Sequence, residues 1–247
     1  MEEVLVYFAL KYEGDFYKIL SALQNKERVF DVQRKEAING LKCNYTTLIS
    51  EDYPSYLKES KCPPFVIFYK GNLKLLEDDN LINIIGDNTN DAYGENVTKE
   101  ITNNLIKNNS TIVVGNNKGI EKIAKDTTLE KNGKLVIVLN NGIESDDYLV
   151  DSTNENILII SEYANNVANT NSTRLFSRRI AVGLSDKILV TQTKLKSDPI
   201  VSVGFASNLG KDIYVIPNNI DSKYNGNNKL IQEGARTVTN LTDPFGD

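Results

Sequence analysis

The sequence predicts an α/β fold, a doubly wound, mostly parallel Rossmann-like sheet with a small, mainly helical N-terminal extension. Three observations predict it. Strand-like and helix-like runs alternate from "PPFVIFYKGN" to the C-terminus. Most strand runs are continuously apolar, as in "LVIV" and "ILII", which marks strands buried on both faces of a sheet. Glycine and asparagine turn signals close most of those runs. The expected division is an extension over residues 1–58 and a Rossmann-like domain over 59–247.

The elements follow in order. The first fifty or so residues read as helical and polar; "DFYKILSALQNKERVFDV" sets Phe16, Ile19, Leu20 and Leu23 on one helix face. "YTTLI" is a short strand, and "DYPSYL" carries a proline turn signal. "PPFVIFYKGN" is a buried strand, and "LINIIGDN" a second, closing at Gly86. "DAYGENVTKEITNNLIKNN" is an amphipathic helix with Val97, Ile101, Leu105 and Ile106 on its apolar face. "STIVVGNNKG" is a strand and a glycine turn; "IEKIAKDTTLEKNG" is a helix stopped at Asn132-Gly133. "KLVIVLNNG" and "ENILIISEY" are strands. "TRLFSRRIAVGLS" is a helix, "KILVTQT" a strand, "PIVSVGFASNLG" a helix, "DIYVIPNN" a strand and "NNKLIQEGA" a last helix. "NNVANTNS" (165–172) reads as a surface loop.

Composition removes several classes of function. The chain of 247 residues has no histidine, so Ser-His-Asp and Cys-His catalysis are excluded, and a zinc site is not expected. Its two cysteines, Cys43 and Cys62, read as reduced thiols of a cytoplasmic protein. No apolar run reaches the roughly 20 residues of a membrane span, and acidic residues precede the N-terminal apolar patch where a secretory signal needs positive charge. A formal charge of -5 argues against a DNA-coating protein but leaves room for a local basic groove.

In an open parallel sheet, ligands bind beyond the carboxyl ends of the strands. Four strand ends carry informative residues: Gly86-Asp87-Asn88, Gly115-Asn116-Asn117-Lys118-Gly119, Ser161-Glu162-Tyr163 and Ser197-Asp198-Pro199. The second opens a helix, and small residues there let backbone N–H groups approach a phosphate. It is neither G-x-G-x-x-G nor a Walker loop, so a plain strand-to-helix turn is the other interpretation. Arginine concentrates at Arg174, Arg178 and Arg179, beside Phe176.

The order of these segments resembles the DNA-processing protein A family (DprA, also called Smf). "YPSYLKESKCPPFVIFYKGNLKLL" is similar to the family's Y-P-x-x-L … P-P-x-x-L-F-x-K-G-N, and "INIIGDNTNDAYG" to I-V-G-S-R … Y-G. "VVGNNKGIEKIAKDTTL" looks like S-G-x-A-R-G-I-D-x-x-A-H-x-x-A-L. "LFSRRIAVGLSDKILV" looks like the R-N-R-I-I-A-G-L-S segment, and "NGNNKLIQEGA" like G-x-N-x-L-I-x-E-G-A. The match runs from Tyr53 to Ala235, and a C-terminal winged helix, present in many members, is not expected here.

The resemblance implies a cytoplasmic protein that binds single-stranded DNA, loads the RecA recombinase during DNA uptake, dimerises, and uses no cofactor or metal. The family's binding positions carry over at Gly86, Gly115, Gly119 and Arg179, and with altered chemistry at Lys118; the strand-end and arginine readings add Asn116, Arg174, Phe176 and Arg178 as DNA contacts, with no catalytic residue. On this picture the cations line a shallow groove over the strand ends and Phe176 stacks on a base. The alternative is that Phe176 points inward and the arginines pair with Glu162 or Asp186. Departures are concentrated at the site: Gly86-Asp87-Asn88 stands where the family has G-S-R, and Ser177-Arg178-Arg179 where it has R-N-R. Two other functions are therefore carried forward. One is an interaction protein that keeps the fold but has lost DNA affinity. The other is a nucleotide binder or N-glycosidase on the same sheet, although the P-G-G-x-G-T loop of such enzymes is missing.

Overall fold

The computed structural model describes residues 1–145, 151–165 and 167–246. Three helices open the chain, α1 (Glu2–Lys11), α2 (Phe16–Gln24) and α3 (Asp31–Asn39), followed by β1 (Asn44–Thr47), the short α4 (Ser55–Lys58) and β2 (Val66–Gly71). The alternating part comprises β3 (Leu81–Gly86), α5 (Ala92–Lys107), β4 (Thr111–Gly115), α6 (Ile120–Glu130), β5 (Leu135–Val138) and β6 (Ile157–Ser161). It continues through α7 (Asn171–Leu184), β7 (Lys187–Gln192), α8 (Pro199–Asn208), β8 (Asp212–Val215), α9 (Gly226–Gln232) and β9 (Arg236–Thr237). The predicted α/β class and every strand and helix of the alternating part are present. Of the loop expected over 165–172, position 166 lies outside the described residues, and Asn171 already belongs to α7.

The described residues form one sheet of nine strands in the order β1-β2-β6-β5-β4-β3-β7-β8-β9. From β6 to β9 every neighbour is parallel; β2 runs antiparallel to β6, and β1 antiparallel to β2. The order reverses at β3. The chain steps outward through β4, β5 and β6, then crosses back to β7 on the other side of β3. The loops after β3 and β7 therefore flank a crevice at the topological switch point, where this class of sheet takes its ligands. The ladder slips there too: Ile85 pairs with Val190, but Gly86 pairs with Gln192.

Burial on both faces explains the continuous apolar runs. Ile82, Ile84, Ile112, Val114, Leu135 and Ile137 share one core with α5 and α6. Val113, Val136, Val138, Leu158 and Ile160 pack on the other face against α7 and Leu57. A third cluster joins Ile188, Val190 and Val215 to α8 and α9 through Val203, Ala206 and Leu230.

The extension is less polar than its sequence suggests. Leu5, Val6 and Phe8 of α1 and Ile19 of α2 are buried in the first core, and the Phe16 ring stacks on Phe65 at 5.1 Å. β1, from within the extension, pairs with β2, so the sheet runs across the division expected at residue 58. Cys43 and Cys62 are free and half-buried, and burial pushes the Cys43 thiol up to about 11. Among the described residues no helix is long and apolar enough to cross a membrane.

Candidate nucleic-acid interface

Three glycines at the strand ends serve close packing. A Cβ on Gly86 would lie 2.5 Å from the Ile120 side chain, so glycine lets the start of α6 sit against the end of β3. Gly119 adopts φ +66°, and a Cβ there would come within 2.3 Å of the Asp87 carbonyl oxygen. The Ile120 N–H donates to that same carbonyl at 3.2 Å. Gly115 has Glu121 Oε2 and Asn117 Nδ2 beside it. The turn thus seats the N-terminus of α6 next to Asp87 and Asn88. Asn116 is half-buried within it, and Lys118 is exposed at its tip.

The arginines are placed differently from the expected groove, closer to the alternative in which they pair internally. Arg178 and Arg179 are only 7% and 8% exposed. The Arg178 guanidinium lies 3.3 Å from Asp198 Oδ2 and 3.9 Å from Glu121 Oε1, and contacts Ser202 Oγ at 3.4 Å. Arg179 donates to Glu162 Oε1 at 2.6 Å and to the Phe176 carbonyl at 3.0 Å, and its guanidinium covers the Phe176 ring at 4.8 Å. The physical reason is desolvation: a permanently charged guanidinium buried on the inner face of α7 is costly unless a carboxylate pairs with it. Burial pushes both Glu121 and Glu162 upward from the ordinary carboxylate range, and the arginines oppose that shift. Asp186, the other acid considered, instead accepts the Leu81 N–H at 2.8 Å.

Arg174 is half-buried and donates to Asn171 Oδ1. Phe176 is also half-buried, between a cleft of about 560 Å³ reaching Cys62 and Phe205 and one of about 540 Å³ reaching Gly14 and Tyr163. Of the nine expected site residues, Gly86, Gly115, Asn116, Lys118 and Gly119 are gathered at the switch point. Arg174, Phe176, Arg178 and Arg179 lie along α7.

Several residues at the crevice were not selected from sequence. Lys194, just past β7, reaches Thr89 Oγ1 at 2.9 Å and Asp87 Oδ1 at 3.4 Å, and its ammonium stands 5.3 Å over the Tyr224 ring. Lys223 stands over the same ring at 5.1 Å. Asn227, from the "NGNN" segment, accepts the Thr193 N–H and donates to the Thr191 and Ile216 carbonyls, tying β7 to β8. Gln192 donates to Asp91 Oδ1 and accepts the Asp91 N–H. Lys194 sits at a strand end, the position a ligand rule selects. Recognising it required knowing that β7 lies beside β3.

What these elements define is a Rossmann-type protein whose strand-end loops carry exposed lysines while Arg178 and Arg179 brace the interior. Comparison with known proteins gives the family. The profile of the DNA recombination-mediator protein A family matches residues 44–246, and the chain belongs to that family. It is 27% identical over 224 residues to DNA processing protein DprA of Bacillus subtilis, covering 88% of this chain and 74% of that one. It is 29% identical over 207 residues to the Streptococcus pneumoniae DprA, covering 81% and 73%. The crystal structure of the Streptococcus pneumoniae protein superposes with a TM-score of 0.77 at 21% identity, over 98% of this chain and 96% of that one. DNA processing protein A of Helicobacter pylori, whose structure describes a single-stranded DNA binding mode, matches with a TM-score of 0.72 at 26% identity, over 82% and 94%.

Proposed function

We propose that this chain is a binding protein, not an enzyme, and that it holds single-stranded DNA across the carboxyl ends of its parallel strands. The observation that carries this is the switch-point crevice, where the Gly115–Gly119 turn, with exposed Lys118, seats the N-terminus of α6 against Asp87 and Asn88, and half-buried Lys194 reaches Asp87 and Thr89. Phosphate contacts by lysine are sequence-tolerant, as a single-strand binder requires. Family membership and the Helicobacter pylori relative support the same ligand. Arg178 and Arg179 are engaged in internal pairs, and on this reading the lysines take the role of phosphate contacts.

Protection of incoming DNA and hand-over to RecA are part of the proposal, as is a homodimer. Support for a protein partner lies on α8, which is apolar nearly all round yet leaves Val201 41% exposed and Gly204 facing open space. The competing interpretation, a family member that has lost DNA affinity, is favoured by Asp87 and by the buried arginines. Fluorescence anisotropy with labelled oligo-dT and with duplex DNA, each at two salt concentrations, decides between them. Salt-sensitive binding that prefers the single strand is expected; no binding at low salt would establish the competing interpretation.

A further inference from the structure

The geometry points to Lys194 as the phosphate-contacting cation of the crevice, paired in the free protein with Asp87, a resident counter-anion whose place a DNA phosphate takes. This deepens the proposed function and rests on it.

Lys194 is pinned at both ends. Its backbone follows Thr193, whose N–H is held by Asn227 Oδ1 at 2.6 Å. Gly226 presses on the Lys194 carbonyl so closely that a Cβ there would come within 2.5 Å of that oxygen. Its ammonium stands over the ring of the buried Tyr224, whose hydroxyl in turn meets Thr89 Oγ1 at 3.3 Å. A lysine fixed in this way delivers its charge with little further loss of side-chain freedom.

The pair with Asp87 is looser than the buried pair of Arg179 and Glu162. It closes at 3.4 Å, against 2.6 Å for Arg179 and Glu162. The Lys194 side chain is 39% exposed, whereas the Arg178 and Arg179 side chains are 8% and 9% exposed. An ammonium has three donors. Thr89 and Asp87 engage two of them, leaving one for an incoming oxygen. Asp87 itself is 6% exposed, and its Oδ2 has no hydrogen-bond partner among the described residues. Drawing Lys194 toward a phosphate leaves this carboxylate with the two Thr89 donors alone, a cost that DNA binding has to offset.

Two more ammonium groups border the same stretch. Lys118 belongs to the turn whose Gly119 lies against Asp87 and Asn88, and the Lys223 ammonium, like that of Lys194, stands over the Tyr224 ring. A phosphodiester entering there exchanges one internal ion pair for a contact shared among three lysines. Asp87 opposes entry by charge repulsion and so sets the affinity.

The test is oligo-dT binding by the full chain over a range of salt concentrations, with folding confirmed by circular dichroism. Lys194→Gln is expected to weaken binding about three- to tenfold and to reduce the slope of log K against log salt by about 0.7, the value for one single-strand phosphate contact. Lys194→Arg should keep the slope, Asp87→Asn should bind more tightly than the parent, and Lys99→Gln on the exposed face of α5 should change nothing. Displacement by oligonucleotide but not by an equal phosphate concentration of thymidine 5′-monophosphate is expected. If the parent binds and Lys194→Gln keeps both affinity and slope, the inference is overturned and the proposed function stands. If the parent and Asp87→Asn both fail to bind single strands, the proposed function and the inference fall together. Displacement by the mononucleotide at equal phosphate would reassign the crevice to a small ligand.

Discussion

Asp91 shows how one side chain organises the entrance to the crevice. It caps α5 by accepting the Gly94 N–H at 2.9 Å and is bridged to β7 by Gln192 at 2.8 Å. A Cβ on Gly94 would lie 2.1 Å from Gln192 Oε1, so glycine leaves room for this bridge. Partial burial acts to raise the Asp91 carboxyl, but the hydrogen bonds from Gly94 and Gln192 win and pull it below the ordinary 3.8. A depressed acid stabilises the fold above its unfolded pKa and loses that contribution as pH falls through its folded value. Asp91→Ala should therefore cost about 1 kcal/mol by urea unfolding at neutral pH. The difference from the parent should hold down to about pH 4 and shrink only below it. At the other edge of the site, Arg179→Ala should cost roughly 3–5 kcal/mol, because Glu162 is left buried without its partner. Arg179→Ala with Glu162→Gln should lose less than the sum of the single changes, read from chemical denaturation of all three variants.

At the scale of elements, α7 is the lesson. Its sequence supplies an arginine run that reads equally well as a phosphate groove or as an internal brace. The choice depends on which helix face meets the sheet. Arg178 and Arg179 fall on the side carrying buried Ala181 and Val182, and the helix closes over Glu121 and Glu162. The N-terminal helices carry a similar ambiguity, since their apolar residues are sparse but meet Phe65 and Phe68 under the sheet edge. Leu5, Val6, Phe8 and Ile19 each contribute about 1.5–3 kcal/mol by burial, a large share of the stability of a typical domain, about 5–15 kcal/mol. A chain beginning at residue 44 should therefore melt at a lower temperature than the parent. It should also bind an apolar dye such as anilinonaphthalene sulfonate. An unchanged melting temperature would establish residues 1–43 as an independent appendage.

For the whole molecule, the net charge of -5 means that long-range electrostatics oppose a polyanion, and only local lysines attract it. Affinity for oligo-dT should accordingly be modest and steeply salt-dependent. With Lys118, Lys194 and Lys223 each meeting a phosphate, the slope of log K against log salt should be about -2. A slope near zero, measured by anisotropy, would mean that stacking rather than charge holds the strand.

By itself, the sequence determined the α/β class, the succession of strands and helices, and the segments that form the strand-end turns. Those features are local: apolar runs, periodicity and glycine placement record which backbone conformation each stretch adopts. The order of motifs also carried the family. Only the tertiary structure decided which strand lies beside β3, and hence that Lys194 faces Asp87 across 107 positions of chain. Only it decided that two of three arginines turn inward. Both outcomes depend on contacts between segments remote in sequence, where the cost of stripping water from a charge selects the partner and where no local pattern records the choice.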